Sequence, residues 1–248
     1  LSPSDKQNLF GTVLSEPKPS PSQLSVLNLL IVNESDILSC VSAALQLARS
    51  SNPRDIEAAS FFFSNLARDY PSVAQNVIQS AIVENTKINS DEITNANSIA
   101  VAAVIEKNPS LVESLKQGLD EYVNTISSLT DFGSMRFSAL WLILSYVPEN
   151  FFDPQKLSSP LRGSCEVLLS FSSTNQQSSS SQNQSSSANM NEQKWTKLME
   201  ALLRLFAKHS KLPHSDLAYN AAQSNLNRLS EQSLASLIEY IIASRRNA

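Results

Sequence analysis

The chain's two histidines, His209 and His214, stand five residues apart with Pro213 between them and Asp216 just beyond. A zinc site needs three or four nitrogen, sulfur or carboxylate ligands converging on one point, and this stretch offers two imidazoles and one acid. Histidines at helix ends account for the same spacing without a metal. Asp91 and Glu92 are adjacent acids, and such a pair in a connecting loop is solvated rather than divided into a general acid and a general base. No Gly-x-Gly-x-x-Gly, phosphate-binding loop, Gly-x-Ser-x-Gly or His-Glu-x-x-His pattern occurs, so nucleotide and hydrolase chemistry have no foothold. The expectation is a protein that is not an enzyme, with no cofactor and no metal. Cys40 and Cys165 lie 125 residues apart. Positions that distant do not meet in an elongated helical array, so both are read as reduced core thiols of an intracellular protein, cytoplasmic or nuclear. The Asn-x-Ser tripeptides at Asn33 and Asn183 come with no secretory signal and are discounted as glycosylation sites.

The elements that must carry these residues are helices. Only four of 248 residues are glycine, which suits helices joined by tight connections and argues against a sheet protein punctuated by turns. A chain of this length buries a core without metal or disulfide help. The formal charge is −4, and the 19 Lys and Arg residues are scattered. A phosphate-binding face needs basic residues gathered on one side, so no nucleic-acid partner is expected. No apolar run approaches the roughly 18 to 20 residues that span a bilayer, which predicts a soluble protein with no membrane partner.

Three similar junctions recur. Pro71, Pro109 and Pro148 are 38 and 39 residues apart, and apolar residues at helical spacing follow each within a few positions. After Pro109 the pattern reads Leu111, Val112, Leu115, Leu119, Val123, Ile126 and Leu129, with Gly118 dividing it into two short helices. A third helix is predicted from about Gly133 to Val147, with Phe137, Leu140, Trp141, Leu144 and Val147 on one face. Units of two or three helices cannot bury their apolar faces alone, and stacking supplies the missing surface.

The stretch from Asn108 to Val147, NPSLVESLKQGLDEYVNTISSLTDFGSMRFSALWLILSYV, resembles an armadillo repeat, and the wider likeness runs from about Glu34 to Phe171. HEAT-type units share the period. In the armadillo family the third helix often carries Ala-Ala-Trp-x-x-x-Asn. Trp141 stands in the Trp place and Ser145 in the Asn place; the equivalent pairs are Phe61 with Asn65 and Ile99 with Ala103. The resemblance implies an all-α, right-handed α-solenoid of about four repeats with helical caps. It also implies an inner surface lined by Phe61, Asn65, Ala103, Trp141 and Ser145, on which another protein or a peptide segment is held. In importin-alpha-like readers an asparagine ladder clamps an extended peptide there, and this chain keeps only Asn65 of it.

Residues 1–23 are rich in Pro and Ser towards their end and read as a flexible entry segment, with the solenoid over residues 24–248. Asn52-Pro53 is a helix start. Residues 172–191 form a Ser/Gln/Asn-rich insertion that lacks the apolar side chains needed to offset ordering entropy. The helical pattern resumes at Trp195, and the final run places Leu234, Leu237, Ile238, Ile241 and Ile242 on one side to close the stack. The chain starts on Leu1 and ends on a helix-like run, which reads as a segment of a longer protein. The function expected is that of a scaffold or adaptor. Two alternatives stay open: an armadillo-type nucleotide-exchange regulator of a chaperone, and a helical accessory domain of a larger protein.

Overall fold

In a computed structural model of the chain, residues 1–15, 20–177 and 191–246 are described. They form twelve α-helices and three 3-10 segments, with no strand among the described residues. The chain divides into two compact units, Leu1–Gly118 and Leu119–Ala248.

The first unit holds α1 (Pro3–Leu14), α2 (Pro21–Leu30), α3 (Glu34–Ala48), α4 (Pro53–Asp69), α5 (Pro71–Lys87), α6 (Asp91–Lys107) and a 3-10 segment, Pro109–Leu115. Short polar side chains start most of these helices. Ser2, Ser20 and Asn33 each form a reciprocal capping box with the residue three places on, Asp5, Gln23 and Asp36. Asn52 accepts from the Arg54 N–H as foreseen, with Pro53 at the first helical position. Residues 1–23, read from the sequence as a flexible entry segment, contain the whole of α1 and the first residues of α2. The signal for α1 is Ser-Pro-Ser-Asp, a capping box ahead of a short apolar stripe.

Packing follows alternate helices. Within the first unit α2 lies against α4 and α4 against α6, while α3 packs on both α4 and α6. Helix α6 also meets α5 and the 3-10 segment. A helix surrounded on so many sides has no polar face to spare, and α6 is buried almost continuously from Ala96 to Ile105. Pro109 opens a 3-10 segment that gives way to α7 (Lys116–Ser127) at Lys116. Gly118 therefore lies inside α7, where the sequence reading made it a divider; Ile82 Cγ2 would sit 3.6 Å from a Cβ placed there.

The second unit continues through α8 (Met135–Leu144), α9 (Pro154–Gln177), α10 (Glu192–Lys208), α11 (Ser215–Gln223) and α12 (Glu231–Arg246), with 3-10 segments at Glu149–Phe151 and Leu226–Arg228. Residues 178–190, the greater part of the predicted insertion, lie outside the described residues. Helix α10 is the hub. It buries Trp195, Leu198, Met199, Leu202, Leu203 and Phe206, and packs on α8, α9, α11 and α12. Helix α9 lies against α11, repeating the alternate order. The last helix differs from the sequence reading: α12 turns Ser233, Ser236 and Leu237 inward and leaves Ile238 and Ile242 exposed. Two small serines allow close approach to α10, and the isoleucine stripe lies off that line.

Candidate functional site

Helix α4 presents the most open apolar side chain of the five predicted contact residues. Its neighbours Phe62 and Phe63 are buried in an edge-to-face pair, centroids 5.6 Å apart, and with Ala59, Leu66 and Ala67 they fix which face of the helix points inward. Three successive helical residues span about 200°, so the third cannot join them. Phe61 is that residue, 66% exposed. One turn later Asn65 is 9% exposed, yet its amide makes no side-chain hydrogen bond among the described residues. Glu57 and Arg68 lie exposed along the same helix. An amide that is unpaired within the fold and whose polar atoms are not sealed from solvent has donor and acceptor capacity to offer a ligand.

The other predicted contact residues are enclosed. Ala103 on α6 is 7% exposed, and Ile99 one turn before it is also buried. In the second unit Ser145 is 4% exposed, its hydroxyl donating to the Leu142 carbonyl. Trp141, expected to line a groove, has no exposed surface at all. Its indole N–H donates to Ser164 Oγ at 3.1 Å, and Ser164 in turn donates to the Phe132 carbonyl at 3.1 Å. Phe137 stacks beside it, centroids 6.0 Å apart. A polar tip satisfied inside the core needs no water, so the whole side chain can be buried.

The histidines are apart in role as well as position. His209 caps the end of α10 and faces the end of α8, with Nε2 3.0 Å from the Leu144 carbonyl and Nδ1 3.7 Å from a Glu149 oxygen. Phe152 meets its ring edge-on. Burial pulls its pKa below the ordinary imidazole value, against the opposing pull of the Leu144 carbonyl and Glu149. His214 adopts a left-handed backbone, φ 68°, and its Nε2 lies 3.2 Å from Ser158 Oγ. That is nucleophile-to-base spacing, and among the described residues no carboxylate pairs with His214. No group of three metal-ligating side chains comes together among the described residues.

Sequence reasoning missed a polar knot between α5 and α6. Asn97 donates to Glu84 at 2.7 Å and to Asn85 at 3.0 Å, and the Asn85 amide nitrogen is sealed without a partner. Glu84 also borders an open groove of about 600 Å³ along α5, lined with Gln79, Ser80, Val83, Lys87 and Ile88. The groove's apolar lining is Val83 and Ile88, set among Gln79, Ser80, Glu84 and Lys87. No described helix is long and apolar enough to cross a membrane. Comparison with known proteins finds no matching family model, no matching curated protein and no matching solved structure.

Proposed function

We propose that this chain is a non-enzymatic protein-interaction module of armadillo or HEAT type, which holds a peptide segment or helix of another protein against α4. The observation that carries the reading is the unpaired amide of Asn65 one turn from the exposed ring of Phe61. A side-chain amide offers a donor and an acceptor to a peptide bond at once, and an aromatic ring beside it supplies apolar contact. Ligand and helix then contribute complementary halves of one interface.

Two further features support it. Alternate helices pack together in each unit, α2 on α4 on α6 and α8 on α10 on α12, which is how stacked helical hairpins bury faces that no single hairpin can cover. The free, buried thiols Cys40 and Cys165 favour a reducing compartment and hence an intracellular protein. The contact set is narrower than the sequence implied, with Phe61 and Asn65 at its centre and Trp141 assigned to the core.

The test is selection of binding peptides from a displayed random library on the intact protein. Binders are then re-measured against Asn65→Ala and Phe61→Ala variants of unchanged thermal stability. A tenfold or greater loss of affinity in both is expected. Peptides that bind both variants as tightly as the parent would remove α4 from the interface.

A further inference from the structure

Helix α1 is held far more lightly than any other helix of the first unit. Phe10 is its one buried residue, against seven in α4 and eleven in α6. Val13 and Leu14 are half-buried, Leu9 is exposed, and the principal packing partner is α2 alone. The capping box between Ser2 and Asp5 is internal to the helix and adds nothing to its attachment. Helix α2, in contrast, is fixed from its other sides by α3 and α4 and buries Leu24, Leu27 and Leu30. A helix attached by one aromatic residue to a surface that is otherwise complete can leave without taking the unit with it.

We propose that α1 is a detachable helix seated in a helix-docking groove of α2. The ligands of this groove are amphipathic helices with an aromatic anchor and aliphatic residues three and four places further on, the pattern that Phe10, Val13 and Leu14 supply in cis. Such helix-in-groove binding reads anchors at i, i+3 and i+4, the spacing seen here. An occupant belonging to the same chain competes with any partner helix, so a partner binds only when it outcompetes α1 or when α1 is released. The groove is distinct from the α4 face carrying Phe61 and Asn65, and one can fail without the other.

Two measurements on the full chain decide this. In hydrogen exchange, the amides of α1 are expected to open at least a thousandfold more often than those of α4 and α6, with little dependence on added urea. In the second, a fluorescein-labelled peptide with the sequence of residues 1–15 is titrated into the parent protein and into Phe10→Glu. Binding is expected to the variant, with at least tenfold weaker binding to the parent and none by a peptide that itself carries Phe10→Glu. Opening of α1 only together with α4 and α6 would overturn the proposal, and so would a peptide that binds neither protein or both equally. Should Phe10→Glu unfold the unit, α1 is structural and the proposal is likewise overturned.

Discussion

The guanidinium of Arg228 lies 5.3 Å from the centre of the Trp195 ring. It covers Phe171 at 5.4 Å as well, and its Nε donates to Glu192 at 3.0 Å while Nη2 pairs with the other carboxylate oxygen. One side chain thus ties the 3-10 segment before α12 to the first turns of α10 and to α9. A planar guanidinium can lie flat against the rings while its fork meets both carboxylate oxygens, a geometry the compact lysine ammonium does not match. Arg228→Lys is therefore expected to lower the unfolding free energy by about 1–2 kcal/mol in urea titration even though the charge is kept. A lysine variant as stable as the parent would reduce the contact to simple charge pairing.

Around Trp141 two neighbouring positions are expected to fail for different reasons. Ser164→Ala strands a buried indole N–H and should cost about 1–3 kcal/mol. Gly163→Ala drives a Cβ to 2.5 Å from the Phe132 ring, a clash expected to cost about 1–3 kcal/mol. Adding Phe132→Leu separates them in thermal denaturation, relieving the second loss and leaving the first. Equal response of both to the added change would mean that one local rearrangement accounts for both.

Much of the helical order was legible because its signals are local. Asn52-Pro53 and Pro71 mark α-helix starts that the structure contains and Pro109 opens the 3-10 segment, while the resumption read at Trp195 falls three residues inside α10, which starts at Glu192. Which face turns inward was legible only where the pattern is one-sided. On α10 the apolar stripe names the buried residues, whereas on α12 small serines outcompete isoleucines for the contact with α10, a choice set by the shape of the partner. The same limit applies to the predicted contacts. Phe61, Phe62 and Phe63 are indistinguishable by type, and only the packing of α4 decides which one faces solvent. Trp141 reads as a hot-spot residue until its hydrogen bond to Ser164, 23 positions away, is known.

Phe61→Ala and Asn65→Ala are expected to change stability by no more than about 0.5 kcal/mol, since one ring is in solvent and one amide has no bond to lose. Phe62→Ala should cost about 3–5 kcal/mol, as for any aromatic side chain deleted from a core. Calorimetry of the three variants checks the orientation of α4 independently of any ligand. Loss of folding in Phe61→Ala would reverse it.

His209 gives the second unit a pH dependence whose sign follows from burial. The folded state binds this proton less tightly than the unfolded chain, so stability is full above pH 6.5 and declines as the pH falls below that value. The decline is limited to about 1.4 kcal/mol per pH unit. Urea titrations at pH 7.5 and 5.5 should show a smaller difference in His209→Gln than in the parent. Equal differences would place the acid sensitivity elsewhere.

On α12, Ile238→Gln combined with Ile242→Gln should leave stability within about 0.5 kcal/mol, because neither side chain is enclosed. A large drop in the urea midpoint would show that this stripe is covered in solution.

The two thiols are fully enclosed, and burial pushes both up to about 12, with Asp36 adding to the effect at Cys40 and Asp216 at Cys165. A thiol in that state has almost no thiolate at neutral pH and does not react with maleimides on the timescale of surface labelling. The parent chain therefore offers thiol reagents no reactive site of its own. A cysteine placed at an exposed position such as Phe61 or Leu226 becomes its sole reactive handle, so dyes and spin labels can be attached one at a time without first removing Cys40 or Cys165 and disturbing the cores they fill.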